Sequence, residues 1–364
     1  MPETYHTHPD STLTAIANAI RAKNGSQNTY TPAQMATAIA NIPSGGDTDL
    51  LELMIERSKK GYTGAVTIDM SNFDITAIGS YAFYKVNPTN ASGSTQQPVT
   101  VILPQNKIKA IYDFAFNGVP VESINLEDLY DTGSNNDVYI GMYGLAGLSS
   151  GGANNCPRYT SLVLPRQIYT GNYAFAYCYY LQSVSGQIEG PSTGRTLGNY
   201  AFRGCTALKT VNLPNLHYLP NYGLFDSCTA LEQIRLKSLI SLVGTYCFTD
   251  MNDAFPALEL IDYGQITTAF GTIIKNTTIK VAVFRNSSLV TCSNIGCVGD
   301  TTSPIRAGTG YVLVPRALIE DYKVESNWSA LDAAGTQFLA VEDYTTDGTT
   351  TGDLDDTKIA LLLA

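Results

Sequence analysis

The chain is short of charge, and shorter still of side chains that do acid–base work. Only 15% of its 364 residues are Asp, Glu, Lys or Arg, and it has three histidines. Its formal charge is −10, and the densest cationic run is Arg57-Ser-Lys-Lys60. Polyanion binding needs clustered Lys and Arg, so nucleic acid is not an expected partner. No stretch approaches the roughly 20 apolar residues that span a bilayer, so membrane insertion is not expected. Met1-Pro-Glu-Thr-Tyr-His-Thr-His8 lacks the basic-then-apolar plan of a signal peptide, which predicts a chain not exported by the ordinary secretory route.

Recognisable catalytic settings are also missing. A hydrolase triad would have to use His217 as its base, and no Gly-x-Ser-x-Gly elbow accompanies it. His6 and His8 could bind metal on a trimer axis, but they read more simply as part of a mobile end. Gly144-Leu-Ala-Gly147 and Gly151-Gly152 lack the Lys-Ser/Thr of a phosphate loop and read as turns. Asp347-Gly-Thr-Thr-Thr-Gly-Asp353 lacks the spacing and closing Glu of a calcium loop and reads as a solvated linker. The seven cysteines include no Cys-x-x-Cys pair. Cys178, Cys205 and Cys228 fall five or six residues after a recurring aromatic, so stacking should align them in a column. They read as small buried thiols in a reduced compartment, with a metal or disulfide column as the alternative. No catalytic residue, metal or cofactor is expected.

What the chain has is repetition. Tyr-Ala-Phe recurs at Tyr81, Tyr173 and Tyr200, with relatives starting at Phe114, Tyr143, Tyr222 and Tyr246. The spacings of 22 to 33 residues suit a solenoid unit. The frame is cleanest in Leu197-Gly-Asn-Tyr-Ala-Phe-Arg-Gly-Cys-Thr-Ala-Leu-Lys-Thr-Val-Asn-Leu-Pro214. Its Val-x-Leu ending alternates with the period of a half-buried strand, and the Pro ends that strand by removing a ladder donor. Each unit therefore predicts a strand, a turn, and a short helical or 3₁₀ segment carrying the aromatic inward. No unit this small can bury its own apolar face, so neighbours must stack around one core.

These residues resemble the BspA-like leucine-rich repeat family over roughly residues 63 to 290. The resemblance implies an α/β repeat: a leucine-rich-repeat solenoid with a helical N-terminal region and a small C-terminal cap. The expected division is 1–61 helical, 62–290 repeats, 291–342 cap and 343–364 an acidic flexible tail whose apolar end, Lys358 to Ala364, docks on a neighbour. Two Asn/Ser/Gly-rich stretches, 85–98 and 127–158, are expected as loops. In the cap, Tyr311 to Val314 reads as a strand and Arg316 to Lys323 as a helix laying Leu318, Ile319 and Tyr322 over the last repeat.

In the N-terminal region Leu13, Ile16 and Ile20 share a helical face ending at Gly25, and Thr31-Pro-Ala-Gln34 is a capping box leading a second helix to Pro43. A third helix is expected over Leu50 to Lys59. The wording of the first two is similar to a segment of tail and baseplate proteins of phages that infect Gram-positive bacteria. That likeness implies a virion protein, assembled in the host cytoplasm, whose hairpin attaches to tail or baseplate proteins, forms a homo-oligomer, or packs on the first repeat.

If the strands form a parallel sheet, the residues between the inward ones align in outward rows. One row holds Ser161, Ser183, Thr210 and Gln233; its neighbour holds Asn212, Arg235 and Asp262. Such side chains suit a host cell-surface glycan or protein, or they only keep the face soluble. Tyr177, Tyr179 and Tyr180 are candidate aromatic contacts, whereas the anchor tyrosines Tyr173 and Tyr200 read as core. The expected function is recognition by a phage tail-associated structural protein that is not an enzyme. A bacterial cell-surface adhesin and a glycan-processing enzyme are the alternatives.

Overall fold

The computed structural model describes residues 66–86, 97–130, 138–150, 155–188, 197–220, 222–242, 248, 255–269, 278–292, 295–331 and 335–364. The expected N-terminal helices, with His6 and His8, lie outside these residues.

Among the described residues every strand pairing is parallel, as expected when each strand is followed by a crossover to the next unit. A first sheet joins β1 (Val66–Asp69), β3 (Val99–Ile102) and β5 (Val121–Ile124). The main sheet has eight strands in chain order: β7 (Ser161–Val163), β9 (Ser183–Ser185), β10 (Thr210–Asn212), β11 (Gln233–Arg235), β12 (Leu260–Asp262), β14 (Val281–Val283), β16 (Tyr311–Val314) and β17 (Phe338–Ala340). The opposite side of each unit contributes shorter pieces. β2 (Ala77–Ile78), β4 (Ala110–Ile111), β6 (Val138–Ile140) and β8 (Ile168–Thr170) form one sheet, and β13 (Thr268–Ala269) with β15 (Thr291–Cys292) another. One apolar core runs from Ile68 to Phe338.

The α/β expectation needs correction. After β2, β4, β6 and β8 the segment is a run of turns, after β15 it includes a 3₁₀ turn (Ile295–Val298), and among the described residues the α-helices are α1 (Ile319–Val324) and α2 (Asp356–Leu363). The stretch 127–158 is not simply a loop, since it carries β6 and the Tyr143 turn.

Hydrogen bonds explain how a turn can stack. Tyr173, Phe175 and Tyr177 donate their N–H groups to the carbonyls of Asn199, Ala201 and Arg203 in the next unit. Tyr200, Phe202 and Gly204 do the same to Tyr222, Leu224 and Asp226. Alternate backbone donors are thus satisfied between units, as in a strand. The phenylalanines point inward: Phe83 stacks on Phe116 at 4.9 Å, and Phe175, Phe202 and Phe225 follow at 5.3 and 5.9 Å. Gly198 precedes this turn because the previous unit passes so close that a Cβ there would lie 2.3 Å from the Gly171 carbonyl oxygen.

The cysteine column serves the same ladder. Cys205 donates its thiol to the Phe175 carbonyl at 3.4 Å, and Cys228 to that of Phe202 at 3.2 Å. A small weak donor thus satisfies a buried acceptor that a larger side chain could not reach. The six described cysteines are buried thiols, with no disulfide among them.

At the C-terminal end Tyr322 and Trp328 are fully buried. The Trp328 indole donates to the Val290 carbonyl at 2.8 Å, and its ring meets Phe284 edge-on. The residues beyond, expected as a flexible tail, are ordered. Asp347 accepts from the N–H and hydroxyl of Thr349, Thr345 bridges Leu354, and the Asp355 side chain caps α2. The helix docks on this chain's own sheet: Leu354 and Ile359 are buried with Leu260, Val281, Val283, Leu313 and Val341.

Candidate functional site

The outward rows have the expected register from β7 onward. Ser161 pairs with Ser183, Ser183 with Thr210, and Thr210 with Gln233; beside them Asn212 pairs with Arg235, and Arg235 with Asp262. The face is open from β7 to β11, where Ser161, Thr210 and Asn212 are exposed and Ser183, Gln233 and Arg235 half-buried. The main sheet does not include β5, which pairs with β3; β5 is joined to the segment before β7 through the Val121 carbonyl, which accepts from the Arg158 and Tyr159 N–H groups.

From β12 onward the face is covered. Leu260, Val281, Val283 and Leu313 occupy the outward positions and lie under the C-terminal segment. Asp262 is therefore no ligand contact. It is 1% exposed and paired with Arg285, whose Nε donates to its two oxygens at 3.0 and 2.9 Å. The other arm of Arg285 donates to the carbonyls of Thr350 and Gly352, which ties the tail to the strand.

Where cover and open face meet, a cleft of about 380 Å³ forms. Thr210, Asn212, Gln233 and Arg235 make its floor; Asp356, Ile359, Ala360 and Leu363 of α2 make one wall. Four of the seven expected strand-face residues thus converge in one concavity. Arg235 donates to Gln233 Oε1 at 2.9 Å and pairs with Asp356 at 2.7 Å; Lys237 pairs with Asp353 at 2.7 Å. A second cleft, about 560 Å³, lies at the break between the sheets, with Ser161, Thr160, Glu122 and Glu127 on its walls.

Residues 63–137 and 149–295 match the model of the BspA type leucine rich repeat region, in six copies. The chain belongs to the BspA-type leucine-rich repeat family. Repeats of this family generally act as binding scaffolds rather than enzymes. No curated protein and no solved structure matches the chain. Among the described residues, no group of three or more His, Cys, Asp or Glu side chains could hold a metal ion.

In this BspA-type solenoid the anchor tyrosines are not core. Tyr81, Phe114, Tyr143, Tyr173 and Tyr200 form one outer column, with successive rings 4.9, 5.2, 4.9 and 5.1 Å apart and nearly parallel. Tyr81 is 46% exposed and the other four are half-buried. All five have φ between +54° and +60°, the left-handed region that L side chains rarely adopt. The column ends where Gly223 lies against the Tyr200 ring. Tyr177 and Tyr179 are half-buried with ring centres 6.3 Å apart, Tyr180 is more exposed, and none of the three lines either cleft.

The residues that sequence reasoning missed are those of the tail, Asp353, Asp356, Ile359 and Leu363, together with Lys237 and Arg285. A signal was present. The outward row turns apolar at Leu260 and stays so at Val281, which is incompatible with an open face and calls for the apolar partners Leu354 and Ile359.

Proposed function

We propose that this chain is a recognition component of a phage or prophage tail, whose open strand face between β7 and β11 binds a host cell-surface glycan or protein. The carrying observation is the cleft floored by Thr210, Asn212, Gln233 and Arg235. There, hydroxyl, amide and guanidinium groups on paired strands converge beside an apolar wall, a composition suited to a polar polymer with apolar ring faces. The tail setting rests on the wording of the N-terminal sequence, to which this reading gives the role of attachment to neighbouring tail or baseplate proteins. Membership of the BspA-type family favours a second reading, a bacterial cell-surface adhesin using the same face.

The triple variant Asn212→Ala, Gln233→Ala, Arg235→Ala should lose binding to a panel of purified bacterial wall glycans. Its melting temperature should barely move, because the Arg235–Asp356 pair is solvent-exposed on one side and worth about 0–1 kcal/mol. Undiminished binding by this variant, with loss on deleting 87–96 or 131–137 instead, would move recognition to the inter-repeat segments.

A further inference from the structure

Three cations, Arg235, Lys237 and Arg285, line a recess of about 40 Å³ at the edge of the cleft together with the carboxylates of Asp262 and Asp353. Arg285 is committed to the fold, since it and Asp262 are each 1% exposed and it also holds two tail carbonyls. Arg235 and Lys237 differ. Each contacts a single tail carboxylate at 2.7 Å, and those carboxylates stand largely in water, Asp356 at 81% and Asp353 at 71% exposure.

Ion pairs with one arm in water contribute about 0–1 kcal/mol, so an incoming anion can replace either carboxylate at little cost. The tail need not leave for this to happen. Leu354 and Ile359 stay buried against β12, β14 and β16, and Asp355, not Asp353 or Asp356, caps α2. The two aspartates therefore behave as exchangeable internal ligands on a cation pair, not as the anchors of the segment.

We propose that Arg235 and Lys237 form the anion subsite of the strand-face cleft, where carboxylates of an acidic glycan replace those of Asp353 and Asp356. This rests on the reading of the open face as a glycan surface. A glycan fits better than an isolated anion because Arg235 shares its cleft with Thr210, Asn212 and Gln233. One ligand can place a carboxylate on the guanidinium and its hydroxyls on the amide and hydroxyl row. Arg235 ends β11 and Lys237 lies in the turn that follows, at most about 7 Å further along the chain, so they can hold neighbouring acidic groups or one group in two poses.

The test is affinity electrophoresis of the full chain in polygalacturonate, hyaluronan or neutral galactan, with poly-L-glutamate as the peptide comparison. Wild type should be retarded by at least one acidic glycan more than by galactan, and 500 mM salt should weaken that retardation. Asp353→Asn with Asp356→Asn should tighten binding, by up to about fivefold per released pair. Arg235→Ala with Lys237→Ala should abolish it while leaving the melting temperature nearly unchanged. Unchanged retardation in both double variants would overturn the proposal, as would failure of the Asn variant to bind either acidic glycan. Equal or stronger retardation by poly-L-glutamate would overturn it in favour of an acidic peptide. If these charge variants are silent while Asn212→Ala with Gln233→Ala abolishes wall-glycan binding, only the anion subsite falls. If wild type binds no glycan at all, the underlying reading falls too.

Discussion

Tyr173 offers a measurement in which the backbone and the side chain can be told apart. Its φ is +59°, and its ring is stacked between Tyr143 at 4.9 Å and Tyr200 at 5.1 Å. Replacing it by Ala removes both contacts, each worth about 0.5–1.5 kcal/mol beyond burial, together with the burial of half a ring. The sum is about 2–4 kcal/mol. Alanine still pays the left-handed penalty of roughly 1–2 kcal/mol, whereas glycine does not. Glycine loses part of that advantage, about 0.5–1 kcal/mol, to the greater freedom of its unfolded chain. Tyr173→Gly should therefore be more stable than Tyr173→Ala by about 0.5–1 kcal/mol, reversing the order expected in a regular strand. Urea denaturation followed by circular dichroism measures both, and the comparison holds if the m-values agree. An alanine variant as stable as the glycine variant, or more so, would refute the left-handed turn as the seat of the repeat.

Phe202 is fully buried between Phe175 and Phe225, so Phe202→Ala should cost about 3–5 kcal/mol by the same assay; a loss under 0.5 kcal/mol would remove it from the core. Burial pushes the Cys178 and Cys205 thiols well above the ordinary range, and that of Cys156 up to about 11. A raised folded pKa gives stability that is complete below the unfolded thiol value of about 8.5 and is lost as pH rises through the folded values. Because all six described cysteines are buried, native protein at pH 8 should resist a thiol-reactive disulfide at them and react in urea, and the raised thiols of Cys156, Cys178 and Cys205 should make stability fall above about pH 8.5; rapid native labelling of these six would contradict the burial.

The strands and their register were legible because two independent signals agree. The Val-x-Leu alternation fixes which side chain points inward, and the recurring frame fixes which residues pair, so Thr210 opposite Gln233 follows from spacing alone. The tyrosines were misread for a physical reason. The rule applied to them is that each unit carries its anchor aromatic inward on a short helical or 3₁₀ segment. A left-handed residue at the first position breaks that rule, turning Tyr173 outward while Phe175 stays in the core. Asp262 was misread because its partner, Arg285, lies a full unit further on and outside any local pattern. The tail was misread because its Thr, Gly and Asp composition speaks of solvation, while what orders it is the apolar patch on β12, β14 and β16 that needs a cover. The site was legible only as far as the open strands reach.

That boundary also decides what kind of element the tail is. If it were a lid over a binding face, the residues beneath would resemble those of the open half. They do not: the outward positions change from Ser, Thr, Asn, Gln and Arg, with Val163 the one apolar residue, on β7 to β11 to Leu260, Val281, Val283 and Leu313 beyond. Removing the tail would expose an apolar patch, not more of the same site, so α2 is a fixed end wall and only its acidic side chains can exchange. The usable face is then four strands wide, about 14 Å at 4.8 Å per strand. A ligand of that length engages few groups, and polar contacts in water are individually weak. Tight attachment through this face must come from many copies on one particle or surface, where the effective concentration of linked sites multiplies a modest affinity. Under the proposed glycan-binding role, a monomer that bound a glycan as tightly as a multivalent array does would be incompatible with so short a face.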